Sequence, residues 1–145
     1  MTNHIKDKVI VVTGAASGFG KLVSEKTAAQ GAHVVCADVD EVQLQATTQS
    51  IRDDTGSVLG VVTDVTQLDQ VTRLTQQALE RFGRIDVMVN NAGVMPLAFY
   101  SDHAEAAATW SRCIDINIKG VLNGIMAVYN PMMQQGRGHI INMSS

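Results

Sequence analysis

Short apolar runs alternate with helical segments along the whole chain, and this alternation limits the fold more than any other feature of the sequence. Residues 9–12 form a β-branched run that ends in Thr13 and Gly14, as expected of a strand buried on both faces that runs into a turn. A helix follows. Its apolar positions Phe19, Leu22, Val23 and Ala28 fall at helical spacing, and Gly31 is placed to end it in a left-handed cap. Residues 32–37 read as a second strand, after which Asp40 can cap a helix that runs to about Ile51. Residues 57–62 read as a third strand. Thr66, with Asp69 three residues on, resembles a capping box opening a helix that closes near Phe82 and Gly83. Residues 85–89 make a fourth strand. The longest helical stretch, about 102–135 and divisible in two, leads through Gly136 and Gly138 to a fifth strand at 139–143. Strict alternation of this kind predicts an α/β fold, a doubly wound parallel sheet with helices on both faces, because each parallel pair needs a right-handed crossover.

The 145 residues fit a single domain, 1–145, with 46% hydrophobic and 17% charged residues, a balance that suits a packed core rather than a disordered chain. Eleven basic residues are scattered among 14 acidic ones, so no basic stripe is available to track phosphates and nucleic acid is not expected as a partner. The polar first eight residues lack a signal-peptide core, and no membrane span is expected; the expected location is cytoplasmic. Cys36 and Cys113 are isolated thiols in apolar stretches and are expected to be free. No metal site is expected, since His4, His33, His103 and His139 have no partner at a ligand spacing.

The chemistry is concentrated in the first turn, Thr13-Gly14-Ala15-Ala16-Ser17-Gly18-Phe19-Gly20. Gly14 permits a tight turn, Gly18 lets the backbone approach a pyrophosphate, and Gly20 allows the helix to pack closely on the strand. The helix N-terminus offers unpaired N–H groups and the positive end of a dipole. A glycine-rich turn that binds nothing is the alternative; the strand before and the helix after favour dinucleotide binding. Asp38 ends the second strand about 20 residues on, where a carboxylate can accept hydrogen bonds from the adenosine ribose and repel a 2′-phosphate. With Ser17 rather than a basic residue before Gly18, NAD is expected over NADP. Asp38 can equally be a solvated carboxylate or help cap the next helix beside Asp40.

Four motifs in order carry a resemblance to the short-chain dehydrogenase/reductase family over nearly the whole chain. They are the TGxxxGxG turn, Asn90-Asn91-Ala92-Gly93 after the fourth strand, the run from Trp110 through Asn117 to Gly120, and the stretch from Gly138 to Ser145. The resemblance implies a Rossmann-type domain and an oxidoreductase that moves a hydride between a nicotinamide cofactor and a small-molecule alcohol or carbonyl substrate. It implies cofactor contacts at Thr13, Gly14, Ser17, Gly18, Phe19, Gly20 and Asp38, an adenine contact at Asp64 and Val65, and ribose contacts at Asn90, Ala92 and Gly93. For Asn90 a role in tying neighbouring strands together is at least as strong, and Asp64 is alternatively a loop carboxylate.

Asn117 resembles the Asn of the family's Asn-Ser-Tyr-Lys tetrad, and a mid-helix Asn otherwise needs some such reason. Ser145 resembles the catalytic Ser, with Ser144 the runner-up. The family's Tyr and Lys, four residues apart and about a dozen beyond the Ser, have no counterpart here: Tyr100 is followed at that spacing by Ala104 and Tyr129 by Met133. The expectation is therefore a sheet cut short after its fifth strand, in an N-terminal portion of the enzyme that binds cofactor but is inactive alone. A non-catalytic NAD-binding module or a damaged reading frame are the alternatives. Met95, Pro96, Leu97 and Phe99 are expected to line one wall of the substrate site, and a homo-oligomer is expected for the full-length form.

Overall fold

A computed structural model describes residues 4–55, 57–97 and 99–144. Its elements run β1 (Val9–Thr13), α1 (Gly18–Ala29), β2 (His33–Asp38), α2 (Glu41–Thr55), β3 (Val58–Val62), α3 (Leu68–Phe82), β4 (Val87–Asn90), α4 (His103–Ile114), α5 (Gly120–Gln135) and β5 (His139–Asn142). The five strands form one parallel sheet in the order β3-β2-β1-β4-β5. The chain winds outward from β1 to one edge, returns, and winds to the other. Carboxyl ends of strands β1 and β4 therefore diverge at the point of reversal, where open α/β sheets carry their ligand crevice.

β1 explains why the core is double. Val9 and Val11 point into one apolar cluster with Leu74, Ala78, Ile85, Met88 and Val128, while Ile10 and Val12 point into a second with Ala28, Leu44 and Ile51. All five of its residues are buried, as a central parallel strand requires. Cys36, in the second cluster, is held as a neutral thiol, since burial pushes its pKa up to about 11.

Several helix ends follow the sequence reading closely. Asp40 caps α2: one carboxylate oxygen accepts the Gln43 N–H at 3.0 Å and the other the Gln43 side-chain amide at 2.7 Å. α1 ends in the expected left-handed glycine, Gly31 (φ 88°), with the N–H groups of Gly31 and Ala32 returning to the carbonyls of Ala28 and Thr27.

Other expectations are corrected. The buried face of α1 is Gly20, Ser24 and Ala28 with Val23 packed partly against the core; of the expected apolar positions only Phe19 (74% exposed) and Leu22 (44%) lie off it. The helix lies so close to the sheet that only small residues fit beneath it. Thr66 is not the cap of α3. That helix begins after Gln67, and Thr66 instead donates its N–H and hydroxyl to Asp64, closing a turn. β4 starts two residues later than expected, at Val87, because Asp86 uses its carboxylate to accept the Val9 N–H and to pair with Arg84. No described helix is long and apolar enough to cross a membrane.

Candidate functional site

The carboxyl ends of the strands open onto a cleft of about 550 Å³. Residues after β1 (Gly14, Ser17, Gly18, Phe19), β2 (Asp38, Val39), β3 (Thr63 to Thr66) and β4 (Asn91 to Val94) line it, together with Arg112, Asp115 and Ile116 from the helix above. Four consecutive crossovers thus deliver their loops to one place.

The glycine turn is shaped for a close backbone approach. Gly14 is left-handed (φ 66°), and a side chain there would meet the Ala92 backbone at 2.9 Å. A Cβ on Gly20 would lie 2.1 Å from the Gly14 carbonyl oxygen. Gly18 differs, because a Cβ there would meet nothing within 4 Å: its missing side chain leaves space in the cleft rather than in the core. Ser17, at the N-cap of α1, makes no side-chain capping bond, which leaves the helix N-terminus to an external acceptor. Those two features fit a diphosphate group.

Asp38 sits half-buried at the end of β2. Its two oxygens accept the N–H groups of Ala16 at 3.0 Å and Asp40 at 3.1 Å, so it links the glycine turn to the start of α2. Each carboxylate oxygen can accept more than one hydrogen bond, so the two bonds leave acceptor capacity on a residue that lines the cleft. Asp64 is tied locally, accepting from Thr66, while its own N–H donates to the Gln70 side chain at 2.9 Å. Val65 is fixed from above by Asn123, which donates to its carbonyl at 2.8 Å.

Thr13, Gly20, Asn90 and Asn117 do not line the cleft but support it. Thr13 is buried; its hydroxyl accepts the N–H groups of Asn91 and Ala92. Asn90 donates to Asn142 at 2.8 Å, joining β4 to β5, and packs under α5 at Gly124, where any side chain would overlap its amide oxygen. The strand-tying role is thus the one the geometry gives it. Asn117 stands in a π-helical turn, Asp115–Lys119, between α4 and α5. Its amide oxygen accepts the Val94 N–H and its amide nitrogen donates to the Val94 carbonyl, both at 2.8 Å, so one side chain pairs with both polar groups of a loop residue. Ser145 lies outside the described residues.

Residue by residue, the sequence reading missed Asn91. Its amide donates to the Thr13 carbonyl at 3.0 Å and the Gly14 carbonyl at 3.3 Å, locking the glycine turn to the end of β4. Arg112, Asp115 and Ile116 were also missed as lining residues; their i, i+3, i+4 spacing is the signal that could have found them. Met95 (83% exposed), Leu97 and Phe99 are exposed and Pro96 is half-buried, and none of them lines this cleft, whose lining after β4 ends at Val94. Among the described residues no cluster of His, Cys, Asp and Glu could hold a metal.

Residues 8–145 match the family model of the short chain dehydrogenases. The chain belongs to this family. It is 43% identical over 143 residues to an uncharacterized oxidoreductase of Staphylococcus saprophyticus, covering 99% of this chain and 56% of that protein. It is 36% identical over 142 residues to the 3-oxoacyl-[acyl-carrier-protein] reductase FabG of Thermotoga maritima, covering 98% and 57%. Among solved structures, a short chain dehydrogenase/reductase of Burkholderia phymatum in complex with NAD superposes with a TM-score of 0.92 at 38% identity, covering all of this chain and 51% of that one. Levodione reductase gives 0.89 at 33%, covering 97% and 55%. The chain therefore spans about half the length of the family members it matches.

Proposed function

We propose that the cleft binds NAD and that the whole protein is an NAD-dependent oxidoreductase acting on a small alcohol or carbonyl compound. The observation that carries this is the pairing of an uncapped helix N-terminus and an open Gly18 with a carboxylate, Asp38, at the end of the adjacent strand. Anion and diol recognition are thereby set side by side. Bound nicotinamide would supply the hydride acceptor or donor.

The protein's own part is to bind and orient. N–H groups at the start of α1 hold the diphosphate. Asp38 accepts from the ribose hydroxyls while its charge disfavours a 2′-phosphate, which is why NAD is preferred. Asp64 and Val65 border the adenine, and the Asn91-Ala92-Gly93 backbone borders the second ribose. Asn117 acts through Val94, fixing the loop between cofactor and substrate, and Ser145 hydrogen-bonds the substrate oxygen. Support for the cofactor class comes from the NAD held by the Burkholderia relative.

Isothermal titration of the protein with NAD, NADH and NADP tests the reading. NAD and NADH are expected to bind and NADP to bind at least tenfold more weakly, the energy of about one lost charge-assisted hydrogen bond. Failure of all three to bind would refute it.

A further inference from the structure

Three carboxylates, Asp38, Asp64 and Asp115, and one basic side chain, Arg112, stand among the residues that line the cleft. Each carboxylate is already engaged. Asp38 accepts from Ala16 and Asp40, Asp64 accepts from Thr66, and Asp115 pairs with Lys119 at 2.5 Å. Arg112 is exposed, and among the described residues its guanidinium has no hydrogen bond, ion pair or ring contact. An unpartnered cation in a binding cleft calls for a ligand group.

Helix geometry says which part of the cleft it faces. Cys113 and Asn117, one turn apart, both reach the Val94 carbonyl and so face the segment after β4. Arg112 and Ile116 form the neighbouring row, and that row leads on to Gly120, which packs against the Val65 side chain, and Asn123, which bonds the Val65 carbonyl. Arg112 and Ile116 thus line the same cleft as Asp38, Val39, Asp64 and Val65, below the helical segment whose later residues Gly120 and Asn123 meet Val65.

We infer that Arg112 is an adenine-recognition residue, its guanidinium closing over the exposed face of the base while Val39, Val65 and Ile116 supply the apolar wall. This rests on the dinucleotide reading above. A planar, weakly hydrated guanidinium stacks on a π-face in a way an ammonium does not.

The test is titration of the whole protein with NAD and with ADP-ribose, for wild type, Arg112→Gln and Arg112→Lys. Arg112→Gln is expected to weaken both ligands by the same factor, about five- to tenfold, and Arg112→Lys to recover less than half of that loss. Arg112 is exposed, so both variants should melt like wild type, which circular dichroism checks. Unchanged affinity in Arg112→Gln overturns the inference, as does full recovery in Arg112→Lys, which would mean charge attraction alone. A loss confined to NAD would overturn it too, by assigning Arg112 to the nicotinamide half. If wild type binds neither ligand, the dinucleotide reading itself falls.

Discussion

Gly20→Ala sets two effects of opposite sign against each other. In an exposed helix the change stabilises by about 1 kcal/mol, the difference in helix propensity. Here the added carbon would lie 2.1 Å from the Gly14 carbonyl oxygen, 2.7 Å from the Gly14 carbonyl carbon and 2.6 Å from the Asn91 amide nitrogen. Two of these atoms are backbone, and the third is fixed by its bonds to Thr13 and Gly14. None can swing aside as a flexible side chain would. Relief requires α1 to move off the sheet or the glycine turn to shift, and overpacking of this kind costs about 1–3 kcal/mol. Because the contact is far inside the usual limit, the upper part of that range applies, and the net loss is about 1–2 kcal/mol after the propensity gain is subtracted. Melting temperature should fall by roughly 2–8 °C. NAD affinity should fall by about tenfold or more, since the displaced turn lengthens several donor contacts together. Thermal denaturation by circular dichroism and calorimetric titration measure the two losses. Gly83→Ala is the control, because that glycine is left-handed (φ 76°) with nothing within 4 Å of an added carbon, so it should lose stability without losing cofactor. A Gly20→Ala protein that melts higher than wild type and binds NAD unchanged would refute the packing argument.

Asp38→Ala should weaken NAD by about 10- to 100-fold, the loss of charge-assisted bonds, and affect NADP far less; competitive titration reads the ratio, and an unaltered preference would remove Asp38 from the ribose. Asn117→Ala should leave the α5 packing intact but free the Val94 loop, lowering kcat in the whole protein more than NAD affinity; equal effects on both would mean that the clamp serves cofactor binding instead. Burial alone would raise the Asp86 carboxyl, but the Arg84 bond, the Val9 N–H and the charges of Arg84 and Lys8 together hold it below its ordinary value. A depressed folded-state pKa gives stability that is present above the unfolded value of about 3.9 and lost as pH falls through the folded one, so Asp86→Asn should flatten the acid side of the stability curve; urea melts from pH 6 to 3 test it. A polypeptide limited to these 145 residues should bind NAD without turnover, as neither Tyr100 nor Tyr129 lines the cleft; NADH absorbance on an alcohol panel checks this, and activity above background would show another proton donor.

What could be read from the sequence was whatever a short window contains. The alternation of strands and helices, the β1 turn, the Asp40 cap and the Gly31 and Gly83 terminations all depend on neighbours within a few residues, and all appear in the structure. The face of α1 could not be read that way. Periodicity ranks residues by apolarity, whereas the residues of this helix that are fully buried are the small ones, Gly20, Ser24 and Ala28. The roles of Asn91 and Asp86 were missed for a related reason: their partners lie 70 or more positions away in β1 and its turn, so even Asn91, which stands inside a quoted motif, carries no local sign of the residue it bonds. Arg112 had the opposite problem, since its exposed position looks ordinary until the cleft beneath it is seen. Thr66 was misread because Asp64, two residues before it, competes for its hydroxyl.

The hydrogen bonds that fix the cleft's roof have a consequence for how the molecule opens. α4 and α5 meet the rest of the protein through a few contacts: the Asn117 clamp on Val94, Asn123 on Val65, Gln135 on Ile85, and the buried row Gly120, Gly124, Val128 and Met132. Most of the apolar core lies before residue 90, with Val128 and Met132 of α5 packed into only one of its two clusters. The cheapest subglobal opening is therefore a lifting of this roof, in which the cleft loses a wall while β1 and β2 stay paired. A ligand seated in the cleft below Ile116 and Arg112 would bind only the closed form and so would hold the roof down by mass action. Amide exchange along α4 then reports cofactor occupancy, while exchange in β1 and β2 follows global unfolding.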